Sequence, residues 1–137
     1  MNFNNSKSES GTSTVEFAMI LPVFFLFFFG IMEFGWLMTQ EIMLTHAVSE
    51  GARAVLLEPD AGRRIQAAKD RVKSVFEPAE TLSGTHLSEG NIKVTISDIT
   101  RQITVEVAAL DYAPLVGFIP DTLLPDKLHA KAAFTYP

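Results

Sequence analysis

Hydrophobic and polar positions divide the chain into stretches of different period. Residues 1–10 are polar and lack an apolar rhythm; from Phe17 to Met32 no charged or strongly polar side chain occurs. After Glu33, the stretch Phe34–Met38 resumes the apolar run. Taken as Phe17–Met38, the run makes about 33 Å of helix, which matches a hydrocarbon core of roughly 30 Å. Beyond it Leu44, Ala47, Val48, Gly51, Ala52, Val55 and Leu56 recur at helical spacing, while Thr45, His46, Ser49, Glu50 and Arg53 lie off that stripe. The pattern predicts one rod from Val15 to Leu57, ended by Pro59 and about 64 Å long.

A second helix is predicted over residues 61–76, with Asp60 as its cap and Ile65, Ala68, Val72, Val75 and Phe76 on its apolar side. Its other side carries Arg63, Arg64, Lys69, Arg71 and Lys73, which reads as a solvated face. Residues 77–90 read as a polar loop. The period then changes to two. Ile92, Val94 and Ile96 form one strand, Ile103, Val105 and Val107 a second, and Leu128, Ala130, Ala132 and Phe134 a third. A turn at residues 98–101 joins the first two, and a Pro- and Gly-containing loop, residues 111–126, precedes the last. The expected fold class is α+β: a long N-terminal transmembrane helix continuing into an amphipathic helix, a second helix, and a small three-stranded antiparallel sheet under the small-residue stripe.

Sequence chemistry narrows the function. Cysteine is absent, so disulfides, thiolate metal sites and cysteine nucleophiles are excluded. The net charge of -5 provides no basic excess for phosphates, so nucleic acid is not an expected partner. His46, His86 and His129 fall on a helix, a loop and a strand without ligand or triad spacing. No phosphate loop, zinc motif or nucleophile elbow occurs, and neither catalysis nor a cofactor or metal is expected. A secretory signal peptide is a poor reading of the apolar run, because Gly30–Trp36 offers bulky residues where a small-x-small site is needed. Pro22 is tolerable inside a membrane helix, and Trp36 suits the aromatic belt at its far end.

The stretch Gly11-Thr12-Ser13-Thr14-Val15-Glu16-Phe17 stands directly before the apolar run. A glycine followed five residues later by glutamate, then by a long apolar helix, is the pattern cut by prepilin peptidases. Gly11 lets the backbone lie extended in a protease cleft. Cleavage would leave Thr12 as a new amine. Glu16 is a carboxylate at the start of a lipid-embedded helix, a costly position unless paired. The amine of one subunit can pair with Glu16 of its neighbour, with Phe17 and the other apolar residues packing in the assembly. Ser13–Glu16 is also a capping box, which satisfies helix-start amides and is compatible with cleavage. Glu33, about 25 Å further along, has two readings. It reaches water at the membrane edge, or it contacts a partner subunit or a basic side chain.

The stretch GTSTVEFAMILPVFFLFFFGIMEFG, continued into AVSEGARAV, resembles the TadE-like minor pseudopilins of the tight-adherence (Tad/Flp) pilus system. The segment APLVGFIPDTLLPD and the final small-residue strand are similar to that family's C-terminal pattern. The resemblance implies a leader at residues 1–11, a transmembrane helix at 12–38 and an extracytoplasmic pilin-like domain at 39–137. It implies a single-pass inner-membrane protein with a cytoplasmic N-terminus, cut after Gly11 by a membrane prepilin peptidase. Implied partners are membrane lipid, other pilins or pseudopilins and the Tad inner-membrane assembly proteins. The implied role is in adherence and biofilm formation, and incorporation in a surface pilus is an extension of it. The competing reading is an uncleaved single-pass anchor carrying a binding module. For adhesion contacts, the expected surfaces are the open sheet face and the 111–126 loop.

Overall fold

A computed structural model describes residues 6–117 and 119–136, with side chains from residue 11 onward except at Asp121. Residues 1–5 of the expected leader, and Phe118 of the long loop, lie outside the described residues. The first element, α1, is a single α-helix, Ser6–Leu57. It passes through Pro22 without interruption. Its expected end holds, with the Glu58 amide closing the last turn on the Ala54 carbonyl at 3.1 Å before Pro59.

α1 has two regimes along its length. From Val15 to Met32 its large apolar side chains are mostly open to the surroundings. Phe24 stacks on Phe28 and Phe25 on Phe29, the i, i+4 neighbours of a helix surface. From Glu33 onward one face is covered: Glu33, Leu37, Gln40, Leu44, Ala47, Val48, Ala52 and Val55 are buried. The stripe therefore works as expected, except that Leu56 is exposed.

The second helix, α2, spans Arg64–Ser83, which shifts the expected element at both ends. Asp60 does not cap it. The Asp60 side chain instead accepts the Gly62 amide at 2.9 Å, and its carbonyl accepts the Arg63 amide at 3.0 Å, which makes a tight turn first. At the other end the helix runs through Pro78 to a left-handed Gly84. A proline inside a helix removes one backbone hydrogen bond. Here that loss is offset by Ala79, which the extra turn buries, and by the Gly84 amide closing on the Glu80 carbonyl at 2.8 Å. Residues 77–83, expected as loop, are thus helical. Ala68, Val72, Phe76 and Ala79 form its buried side, while Ile65 is largely exposed.

Gly51 marks the crossing of the two helices. A Cβ at this position would lie 2.3 Å from Val72 Cγ2 and 3.1 Å from the Ala68 carbonyl oxygen. Only hydrogen fits there, so the glycine permits the close approach. The expected solvated face of α2 is as read: Arg71 pairs with Glu50 at 3.2 Å and Lys73 with Glu89 at 3.4 Å, both exposed pairs of small energetic weight.

The strands are β1 (Ile92–Ser97), β2 (Gln102–Asp111) and β3 (Lys127–Thr135), antiparallel in the order β1-β2-β3. Register puts Ile92, Val107 and Ala130 in one row and Val94, Val105 and Ala132 in the next. These rows face the helices. α1 packs mainly over β3 and β2, with α2 beside it over β1. Ala130 and Ala132 keep β3 low enough for α1 to lie close. One bulge interrupts β2: Ala109 has φ 76, the pairing shifts between Ala108 and Leu110, and the Ala109 amide turns to the His129 Nδ1 at 3.3 Å.

Candidate functional site

The residues that carry the processing motif lie together on the bare end of α1. Gly11, Thr12, Glu16 and Phe17 are all exposed. Gly11 and Glu16 stand about 7 Å apart along the axis. Nothing lies within 4 Å of where a Gly11 Cβ would be, so packing within the chain does not require glycine there. The helix begins at Ser6, before this motif, so Ser13 occupies a helix interior and the capping-box expectation is corrected. Gly11 is helical as well, and glycine costs a helix interior roughly 1 kcal/mol relative to alanine, which eases local unwinding there.

Glu33 departs most from expectation. Its side chain reaches neither water nor a basic group. It is fully buried, and its partners belong to the long loop of the same chain. The Leu115 amide donates to Oε1 at 3.0 Å and the Val116 amide to Oε2 at 3.0 Å. The Tyr112 hydroxyl donates to Oε1, and the Gly117 amide is directed at the same carboxylate. Successive amides curling around an anion form a nest, and the left-handed Gly117, φ 63, completes the curl. Burial, and behind it the hydrogen bond to Glu33, hold the Tyr112 phenol well above the usual range.

The contact continues one turn further along α1. The Ala113 carbonyl accepts both the Trp36 indole N–H at 3.2 Å and the Gln40 amide at 3.1 Å. Trp36 is half-buried under the loop as well as standing near the membrane edge. The Gln40 Oε1 is buried without a hydrogen-bond partner among the described residues. Sequence reading singled out Glu33 as unusual but could not find its partners, which lie some eighty positions away. The available signal was the uncharged run from Tyr112 to Pro120, with a tyrosine at one end and a glycine where a nest needs one.

The Glu33 nest and the Gly11–Glu16 motif are separate, at opposite ends of the bare segment. Among the described residues no cluster of three His, Asp or Glu side chains could hold a metal. The arrangement clamps a loop onto a helix, and the opposite end of that helix is exposed. One helix, Gly11–Leu57, is long and apolar enough to cross a membrane.

Compared with known proteins, residues 11–53 match the family model described as TadE-like protein. The match begins at the glycine before the apolar run and ends at Glu50-Gly51-Ala52-Arg53. No curated protein and no solved structure matches the chain.

Proposed function

We propose that this chain, TadE-like over residues 11–53, is a membrane-anchored minor pseudopilin or assembly subunit of a Tad-type pilus or secretion system. A prepilin peptidase cuts it after Gly11. The Thr12 amine then pairs with Glu16 of a neighbouring subunit while Phe17 and the bare apolar surface of α1 pack in the membrane or in the assembly. The N-terminus is cytoplasmic and the α+β domain extracytoplasmic, and the assembled system supports adherence and biofilm formation.

The observation that carries this reading is the bare segment of α1. Over the eighteen positions Val15–Met32, twelve large apolar side chains are exposed, in one continuous stretch of helix. Leaving that much apolar surface in water is strongly unfavourable, so the segment needs lipid or other apolar helices around it. Glu16 stands exposed at its start, where a carboxylate needs a cation. Bulk supports a minor role: the sheet and α2 exceed what a bare helical pilin needs.

The uncleaved anchor is the second reading, favoured by one observation. α1 runs unbroken from Ser6 through the cut site. Replacement of Gly11 separates the two. Gly11→Leu should block shortening of the chain and abolish pilus-dependent adherence, while membrane insertion is retained. Wild-type adherence by Gly11→Leu cells would sink the pseudopilin reading in favour of the anchor.

A further inference from the structure

The loop clamped by Glu33 has an outer surface as unusual as its inner one. No charged residue occurs from Tyr112 to Pro120. Leu115 and Val116, whose amides hold Glu33, leave their own side chains 49% and 38% exposed. The loop also has a direction. Ala113 meets Trp36 and Gln40, whereas Leu115 and Val116 meet Glu33, about one to two helical turns nearer the bare apolar segment. The chain thus descends along α1 toward the membrane-length stretch and turns back at its edge.

Length fixes the depth. Glu16 and Glu33 are seventeen residues apart, about 26 Å of helix, and a hydrocarbon core is roughly 30 Å thick. With Glu16 at one boundary, Glu33 falls at or just inside the other. A carboxylate at that depth facing lipid would be costly by a few kcal/mol, and the nest of amides and the Tyr112 hydroxyl remove that exposure. The loop that supplies the nest must then sit at the same depth, with Leu115 and Val116 pointing away from it.

We propose that the Ala113–Gly117 segment is a membrane-seated loop. Leu115 and Val116 enter the acyl–headgroup boundary beside α1, and the Glu33 clamp sets the height of the whole domain above the bilayer. The occupant is lipid. The argument is continuity, because the exposed apolar residues of the loop extend the bare surface of α1 at its upper edge. It rests on the reading of α1 as membrane-spanning. Charges return just beyond the segment, at Asp121 further along the loop and at Asp111, Asp126 and Lys127 by the sheet ends, as expected at a headgroup level.

The absence of cysteine makes the test direct, since single cysteines carry a probe without background. Full-length Leu115→Cys, Val116→Cys, Phe25→Cys and Ile99→Cys are labelled with an environment-sensitive fluorophore. They are reconstituted at low protein density in phosphatidylcholine vesicles. Phe25 lies mid-span, and Ile99, 98% exposed, sits in the turn at the opposite end of the sheet from the loop. Probes at 115 and 116 should emit blue-shifted and lose emission to shallow doxyl-labelled lipid, as Phe25 does to deep doxyl lipid. The Ile99 probe should be quenched by aqueous iodide alone. Iodide quenching at 115 and 116 equal to that at Ile99, with Phe25 still quenched by lipid, would overturn the loop proposal and leave the membrane span standing. Loss of lipid quenching at Phe25 as well would overturn both. A blue shift at 115 that grows with protein density, without lipid quenching, would replace lipid by a second copy of the chain and overturn the proposal.

Discussion

Glu33 was conspicuous in the sequence as the one carboxylate interrupting an apolar run, yet the side chains that satisfy it are invisible to any local pattern. A buried acceptor and its donors are coupled, and the coupling is measurable. Glu33→Ala leaves the Leu115 and Val116 amides and the Tyr112 hydroxyl without their acceptor and should destabilise the folded domain by about 3 kcal/mol. Tyr112→Phe removes one donor and should cost about 1.5 kcal/mol. In unfolding of the full-length chain in detergent micelles, the double variant should lose less than the two single losses added together. Additive losses would mean that Tyr112 and Glu33 do not act as one unit. Tyr112 also makes a pH signature. Its folded proton affinity is raised, so its contribution is fully present below about pH 10, the ordinary phenol value, and is lost as pH rises beyond it because the unfolded state ionises first. The stability gap between wild type and Tyr112→Phe should therefore stay constant up to about pH 10 and narrow progressively above it.

At the scale of elements, periodicity was legible wherever one face meets a core. The three strands could be read because Ile92, Val94, Ile103, Val105, Val107, Leu128, Ala130 and Ala132 alternate cleanly, and the structure pairs them face to face. The ends of α2 were not legible. Pro78 carries a breaker signal, but tertiary burial of Ala79 outweighs it, and Asp60 spends its carboxylate on the Gly62 turn rather than on a helix amide. Gly51 was read as part of a small-residue stripe lying over the sheet, and the element that packs against it is α2. Gly51→Ala should destabilise by about 1–3 kcal/mol in the same unfolding assay, because its methyl overlaps Val72. Val72→Ala in the same chain should recover part of that loss. No recovery would place the strain at the Ala68 carbonyl instead. The Ala109 bulge was silent in the sequence, since alanine gives no hint of a left-handed backbone. Ala109→Gly should relieve that conformation and raise stability by about 0.5–1 kcal/mol.

The whole molecule divides at Glu33: above it a helix pair lies on a sheet, and below it a helix stands bare. The bare part and its glutamate-bearing start were readable from residues 11–38, because membrane length and the glycine–glutamate spacing need no tertiary knowledge. The join between the two parts was not. Glu33 and Leu37 are buried under the domain, so its contact with α1 reaches into the stretch read as membrane-spanning. The reason is the loop from Tyr112, which reaches down the helix and whose partner residues are far apart in sequence. A domain held by the Glu33 clamp, on a helix with an exposed N-terminal motif, suits a subunit drawn into an assembly by its membrane part. The claim on which this rests is cleavage. The direct measurement is the intact mass and N-terminal sequence of the protein extracted from native membranes, with and without the prepilin peptidase. The account predicts a chain beginning at Thr12, eleven residues shorter than the 137-residue precursor, and present only in the peptidase-bearing strain. An N-terminus ahead of Gly11 in both strains would contradict it and leave an uncleaved anchor.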